Sequence, residues 1–263
     1  MSGFTYIDGT LACDGVAVDA ITRRYGTPLY IYSAATIRER VARVKAVFAA
    51  LQPEIYYAVK ANGNLAILKL LNDLGVGFDI VSGGELARAL AAGADPKAIA
   101  FAGVGKTNAE MAAALEAGVG WFNVESSDEA ARLNALAASH GVRARVALRL
   151  NPDVEPDTHK HIRTGGAASK FGLPLDQAHA LARRWGDFPA LDLQGAHIHI
   201  GSQMATAGPW RAALDAMIDF VEAHPSITHV DLGGGLPVSY TDAAAPDPAT
   251  FAEPLVDRLQ SLV

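Results

Sequence analysis

One cysteine, Cys13, stands in a chain of 263 residues. No internal disulfide can form, and a reducing compartment suits such a chain. Basic runs are missing as well. The 22 lysines and arginines are scattered among 28 acidic residues, for a net charge of −6. That balance speaks against nucleic acid or an anionic membrane as the main partner. No uninterrupted apolar run approaches the roughly 20 residues that span a bilayer. The N-terminal "MSGFTYIDGT" lacks the charged-then-apolar layout of a secretion signal. The expectation is a soluble, cytoplasmic protein.

What the chain does have is apolar bulk and rhythm. Half of it is hydrophobic, ample for a sizeable core. From residue 54 onward one unit recurs: an apolar strand, a polar or glycine-rich turn, an amphipathic helix, a glycine and the next strand. Strands are expected at "EIYYAVKA" (54–61), "GFDIVS" (77–82), "IAFAG" (99–103), "WFNVES" (121–126), "RARVALRL" (143–150), "GAHIHIGS" (195–202) and "HVDLGGG" (229–235). Gly75, Gly93, Gly118 and Gly141 suit the left-handed position that closes a helix. Thr107 with Glu110, and Ser126 with Glu129, have the spacing of a capping box. Upstream, Ile37, Val41, Val44, Phe48 and Leu51 share one helical face.

Seven strands alternating with helices imply a parallel sheet. At about 30 residues per unit, the fold class is α/β: a (β/α)₈ barrel of the TIM type, incomplete at about seven strands. Its expected extent is residues 34–263, behind an N-terminal extension at 1–33. After the seventh strand come a loop and a final helix, "FAEPLVDRLQSLV".

The active site of such a barrel lies at the C-terminal ends of its strands. There the sequence places Lys60, Asp79, Ser82, Arg149, His199, Ser202 and the triple glycine Gly233, Gly234 and Gly235. A lysine amine can form a Schiff base with an aldehyde when desolvation keeps it neutral. Three glycines let backbone N–H groups approach a phosphate. An aldehyde joined to a phosphate points to pyridoxal 5′-phosphate, with His199 lying against its ring. The bland readings are a snorkelling surface lysine, an ordinary turn and a hydrogen-bonded core histidine. Their coincidence on one rim favours the site.

Two other patterns point elsewhere. "AFAGVGKT" (100–107) resembles a phosphate-binding P-loop but has Ala100 where the first glycine belongs. "HIH" (197–199) and "HKH" (159–161) pair imidazoles as metal sites do, yet Asp79 is the one obvious carboxylate to join them. A metal hydrolase is therefore a rival reading, and the expected number of metal sites is none.

The motifs "YYAVKAN", "GFDIVSGGEL", "FAGVGKT", "LRLNPDV", "SKFGL", "GAHIHIGSQ" and "HVDLGGGLPVSY" resemble, in family order, those of the fold-type III pyridoxal-phosphate decarboxylases. Within them they resemble the diaminopimelate decarboxylases, which have the alanine racemase-like barrel. The resemblance implies that Lys60 carries the cofactor and that His199 stacks on its ring. It implies that Ser202 and Gly233 to Gly235 hold the phosphate, and that Asp79, Glu85 and Arg149 line the pocket. It further implies a homodimer with shared active sites, an amino-acid substrate and decarboxylation of meso-2,6-diaminopimelate to L-lysine. Family members add an eighth strand with a Glu-Pro-Gly-Arg motif and a β-rich domain on which residues 1–33 would pack. Glu253-Pro254 has no Gly-Arg after it, so that role is not transferred. A fragment with impaired activity is the expectation. An ornithine or arginine decarboxylase, or a non-catalytic barrel that holds pyridoxal phosphate, stand as alternatives.

Overall fold

A computed structural model describes residues 3–154, 170–204, 206–240 and 246–260. The chain divides into two compact units, Met1–Pro53 and Glu54–Val263.

The first unit opens with three antiparallel strands, β1 (Phe4–Ile7), β2 (Thr10–Cys13) and β3 (Val16–Ala17). Both connections are Asp-Gly pairs with positive φ, Asp8-Gly9 and Asp14-Gly15. That is the backbone of the two-residue hairpin turn that matches strand twist. From sequence this stretch is expected only as an extension; the structure gives it a small sheet of its own. Two helices follow, α1 (Val18–Tyr25) and α2 (Ala34–Val47). Ser33 caps α2 by accepting from Thr36 N at 3.0 Å, and donates its own hydroxyl to Asp14 Oδ1 at 2.7 Å. The face expected from Ile37, Val41, Val44, Phe48 and Leu51 is half-buried.

The second unit is a curled parallel sheet with helices. Its strands are β4 (Tyr56–Ala58), β5 (Gly77–Ile80), β6 (Ile99–Phe101), β7 (Trp121–Val124), β8 (Ala144–Asn151), β9 (Leu173–Pro174), β10 (Leu191–Ile198) and β11 (His229–Asp231). Along the sheet the order is β11-β10-β8-β7-β6-β5-β4, with the two-residue β9 attached to β8 off that path. The seven strands of the path are the seven expected from the sequence. The helices are α3 (Leu65–Asp73), α4 (Gly83–Ala91), α5 (Asn108–Ala117), α6 (Ser127–Ser139), α7 (Leu175–Arg183), α8 (Gly208–Glu222) and α9 (Pro248–Gln260). Glu253 and Pro254 lie within α9. The four glycines expected to end helices all have positive φ.

Side-chain contacts reveal the curl. Asn123 on β7 donates to Asp231 on β11 at 3.3 Å, although β8 and β10 lie between them. Three strand spacings in a flat sheet amount to about 14 Å, so the sheet must bend to bring these side chains together. Inside the bend Tyr56, Ala100, Trp121 and Ala147 form one packed cluster. Gly195 adjoins it because a Cβ there would lie 2.7 Å from Ala147 Cβ and 3.1 Å from the Trp121 ring.

The helices are pinned to the strands they follow. Thr107 and Glu110 make the full reciprocal box at the start of α5. At α6 the box is displaced by one residue. Ser126 accepts from Glu129 N at 3.1 Å, but Glu129 Oε2 accepts from Glu125 N at 3.0 Å. The same device recurs at α4: Ser82 accepts from Glu85 N, and Glu85 Oε2 accepts from Val81 N at 2.8 Å. Each acid thereby reaches past its own cap to the end of the preceding strand. In α8, Trp210 Nε1 donates to Leu232 O at 3.0 Å, holding the residue that follows β11.

Candidate active site

The strand C-termini form the rim on which the sequence placed its chemistry. Lys60 sits in a tight turn just past β4. Its amine lies 3.8 Å from Asp79 Oδ2 on the neighbouring β5, and its side chain is 59% exposed. The lysine, expected to be desolvated at the end of an apolar strand, is open to solvent here. Its neighbour Asp79 has a perturbed carboxyl. Burial pushes its carboxyl up to about 7, Asp231 and Glu85 add to the rise, and Lys60 and Arg149 oppose it. Around neutrality Asp79 can both accept and release a proton beside the lysine.

β10 runs Leu191–Ile198, starting and ending four residues before the expected 195–202. His197 is thus on the strand, while His199 and Ser202 lie just past it. Burial drives His199 down to about 3, with His197, Arg149 and Lys60 pushing the same way and Asp231 against. Its imidazole is uncharged at neutral pH. His199 Nδ1 accepts from Gly234 N at 3.2 Å, which orients the ring. His197 is deeper, and burial holds it below its ordinary value. Its Nε2 is 3.8 Å from Asp231 Oδ2, while its buried Nδ1 has no hydrogen-bond partner among the described residues.

The turn after β11 packs against the turn after β10. Met204 N donates to Gly235 O at 3.1 Å. The Gln203 side chain clamps Val238, accepting from its N at 2.6 Å and donating to its O at 3.1 Å. Gly233 and Gly235 have positive φ, and a Cβ on either would collide with the carbonyl of Ile198 or Gly201. Only glycine permits this approach. Two of the three glycine N–H groups are already used. Gly233 N donates to Asp231 Oδ1 at 2.8 Å and Gly234 N to His199. The exposed Ser202 stands beside them.

Arg149 is buried, and its Nη1 donates to both oxygens of Glu125 at 3.0 Å. The guanidinium lies over Phe171, 4.8 Å from the ring centroid. Glu85, in the first turn of α4, is engaged with Val81 N as described. Lys106, the lysine of the P-loop-like stretch, has a wholly buried side chain. It donates to Gly103 O, Asn123 O and Glu129 Oε1, the last at 2.6 Å. All three ammonium donors are thereby taken up inside the fold. The "HKH" pair and Ser169 of "SKFGL" lie outside the described residues.

Three residues that meet the rim are not singled out by the sequence alone. Asp231 makes an Asx-type bond to a residue two ahead, a signal legible in Asp-x-Gly. Glu125 sits in an acid-rich run, and its partners are distant in sequence. Gln203 enters the sequence reading only as part of a motif.

The set suits a phosphorylated aldehyde: an exposed amine, an uncharged imidazole oriented by a backbone bond, and a glycine turn against a serine. The comparison with known proteins identifies the family. The model of the "Pyridoxal-dependent decarboxylase, pyridoxal binding domain" family matches residues 34–263. The chain belongs to this family. A diaminopimelate decarboxylase of Pseudomonas aeruginosa is 44% identical over 263 residues, covering 98% of this chain and 63% of the relative. That of Vibrio cholerae is 46% identical over 257 residues, covering 96% and 62%. Among solved structures, diaminopimelate decarboxylase from Helicobacter pylori complexed with L-lysine is 34% identical. Its TM-score is 0.88, over 93% of this chain and 63% of that one. A lysine/ornithine decarboxylase from Vibrio vulnificus, at 21% identity and TM-score 0.78 over 92% of this chain and 62% of that one, shares the fold. The chain thus spans somewhat under two thirds of the curated relatives it matches. Among the described residues no helix is long and apolar enough to cross a membrane.

Proposed function

We propose that the protein to which this domain belongs decarboxylates meso-2,6-diaminopimelate to L-lysine and CO₂. One observation carries the proposal: Lys60 and Asp79, paired at 3.8 Å, share a rim with the neutral His199 and the glycine turn. The similarity to diaminopimelate decarboxylases supports the choice of substrate over ornithine or arginine. When bound, pyridoxal phosphate supplies the electron sink for the carbon–carboxylate bond.

The chain's own residues do the rest. Lys60 holds the cofactor through Nζ, and Asp79 takes up or returns a proton at that nitrogen. His199, fixed by Gly234, offers an uncharged ring face. Ser202 and the Gly233–Gly235 turn hold the phosphate, with Gly235 contributing the N–H that is not spent on Asp231 or His199. Arg149 and Glu85 line the mouth. A cytoplasmic homodimer acting on a small amino acid belongs to the same reading.

The test has two arms. Protein incubated with pyridoxal phosphate and reduced with borohydride should carry the adduct on Lys60 in a mass-spectrometric digest. CO₂ release should then be greater from meso-diaminopimelate than from ornithine or arginine. An adduct elsewhere refutes the site, and preference for another amino acid refutes the substrate.

A further inference from the structure

Four elements that the chain delivers to the rim separately are tied at one buried carboxylate. Glu125, just past β7, receives Arg149 Nη1 from β8 on both oxygens at 3.0 Å. Its Oε1 also accepts from Gly103 N, in the turn after β6, at 2.9 Å. Its Oε2 accepts from Gly172 N, next to β9, at 3.1 Å. The side chain is 3% exposed. Its backbone is held in turn, since Glu125 N donates to Glu129, whose other oxygen takes Lys106. Arg149, Glu125, Glu129 and Lys106 thus form a line beneath the mouth, two cations balanced by two anions.

A buried carboxylate costs several kcal/mol unless its lone pairs are satisfied. Glu125 meets that condition with three donor groups from three different strand ends. The result goes beyond burial being tolerated. Nη1 of Arg149 is held by both carboxylate oxygens and the guanidinium rests over Phe171, so its swing is restricted. That guanidinium is a cation that acts on Asp79, His197 and His199 together. Such a cation is useful to an anionic ligand only if it does not swing away. Arginine is a long side chain with much rotamer freedom to lose, and Glu125 absorbs that loss before any ligand arrives.

We infer that Glu125 is a positioning residue: it locks Arg149 for an anionic group of the bound cofactor or substrate and fastens the turns after β6 and β7 to β8 and β9. The inference rests on reading this rim as a pyridoxal-phosphate site, yet the two fail separately. The first measurement needs no ligand. Arginine-selective ¹⁵N spectra of the parent should show slowly rotating Nη groups for Arg149, and Glu125→Gln should average them. Amide exchange at Gly103 and Gly172 should speed up about tenfold or more in that variant, as expected for losing a charge-assisted bond.

The second measurement is pyridoxal-phosphate affinity, read by absorbance, for Glu125→Gln, Arg149→Gln and the pair. Each single change should weaken binding about tenfold. The double variant should be no weaker than Arg149→Gln alone, because Glu125 acts through Arg149. Should Glu125→Gln not fold, Glu125→Asp keeps the charge while shortening its reach, and the same non-additivity is expected. Additive losses, or an Arg149 spectrum unchanged in the Glu125 variant, overturn the positioning role. A parent chain with no adduct at Lys60 overturns the cofactor site, while the ligand-free spectra still decide whether Glu125 locks Arg149.

Discussion

Lys60 Nζ and Asp79 Oδ2 lie 3.8 Å apart on adjacent strands, with the lysine open to solvent and the acid raised to about 7 by burial. The sign of the resulting pH dependence follows from linkage. A carboxyl raised above its ordinary value of 3.8 holds its proton in the folded chain after the unfolded chain has lost it. The Asp79 contribution to stability therefore falls as pH rises from about 4 to about 7, by at most about 1.4 kcal/mol per pH unit. Asp79→Asn removes this loss, so its stability relative to the parent should climb across that window. Urea denaturation at a series of pH values checks it. A constant difference between the two proteins would show that Asp79 titrates at its ordinary value.

His199 acts in the opposite sense on stability, since its depressed value makes the folded chain release a proton that the unfolded one binds below about 6.5. For the cofactor, the ring matters more than the charge. His199→Ala should weaken pyridoxal-phosphate binding about fivefold, the value of a contact near 1 kcal/mol. His140→Ala, at the end of α6, should have no such effect. Equal affinities for the two variants, by fluorescence titration, would remove His199 from the site.

Lys106→Ala should destabilise the chain by about 3–5 kcal/mol, because it strands Glu129 without its cation. Lys60→Ala, which removes an exposed side chain, should cost far less while abolishing the borohydride-trapped adduct. Denaturation midpoints and mass spectra together separate the structural lysine from the functional one. Similar midpoints for both variants would contradict the buried network.

Gly195→Ala forces a methyl against Ala147 and Trp121 and should cost about 1–3 kcal/mol. Gly186→Ala meets nothing within 4 Å and should be neutral or slightly stabilising. Thermal midpoints of the two variants give the comparison directly. A tolerated alanine at 195 would mean the inner cluster has room to spare.

The strands were legible because each is a short apolar run closed by a turn and followed by a helical pattern. β10 was the exception. Its first half, "LDLQ", mixes polar residues into the strand, and the register shifts between Leu193 and Gly195, so alternation read back from the histidines breaks there. The N-terminal hairpins were signalled by two Asp-Gly pairs, but "FTYI" is exposed throughout and shows no buried face. At the site, Lys60, His199 and the glycines stood out because they interrupt apolar strands at their ends. Glu125 could not stand out. Its meaning depends on Gly103, Arg149 and Gly172, which local spacing does not connect to it, and an acid before a helix looks like a cap. Ala100 was enough to set the P-loop reading of Lys106 aside, but its true partner was not legible: nothing local distinguishes a lysine aimed at phosphate from one aimed at a buried glutamate.

Lys60 and Gly234 lie just past the strands at opposite ends of the sheet, β4 and β11. The two halves of the rim therefore meet only because bending accumulates over every strand-to-strand step between them. A small change of angle at each step is summed along the way, so the gap between the amine and the glycine turn is a gauge of the whole sheet. Spin or fluorescence labels near those two positions would read out curvature that no single strand pair reveals. By the same leverage, substitutions beneath the middle strands, far from either group, can detune the site without touching it.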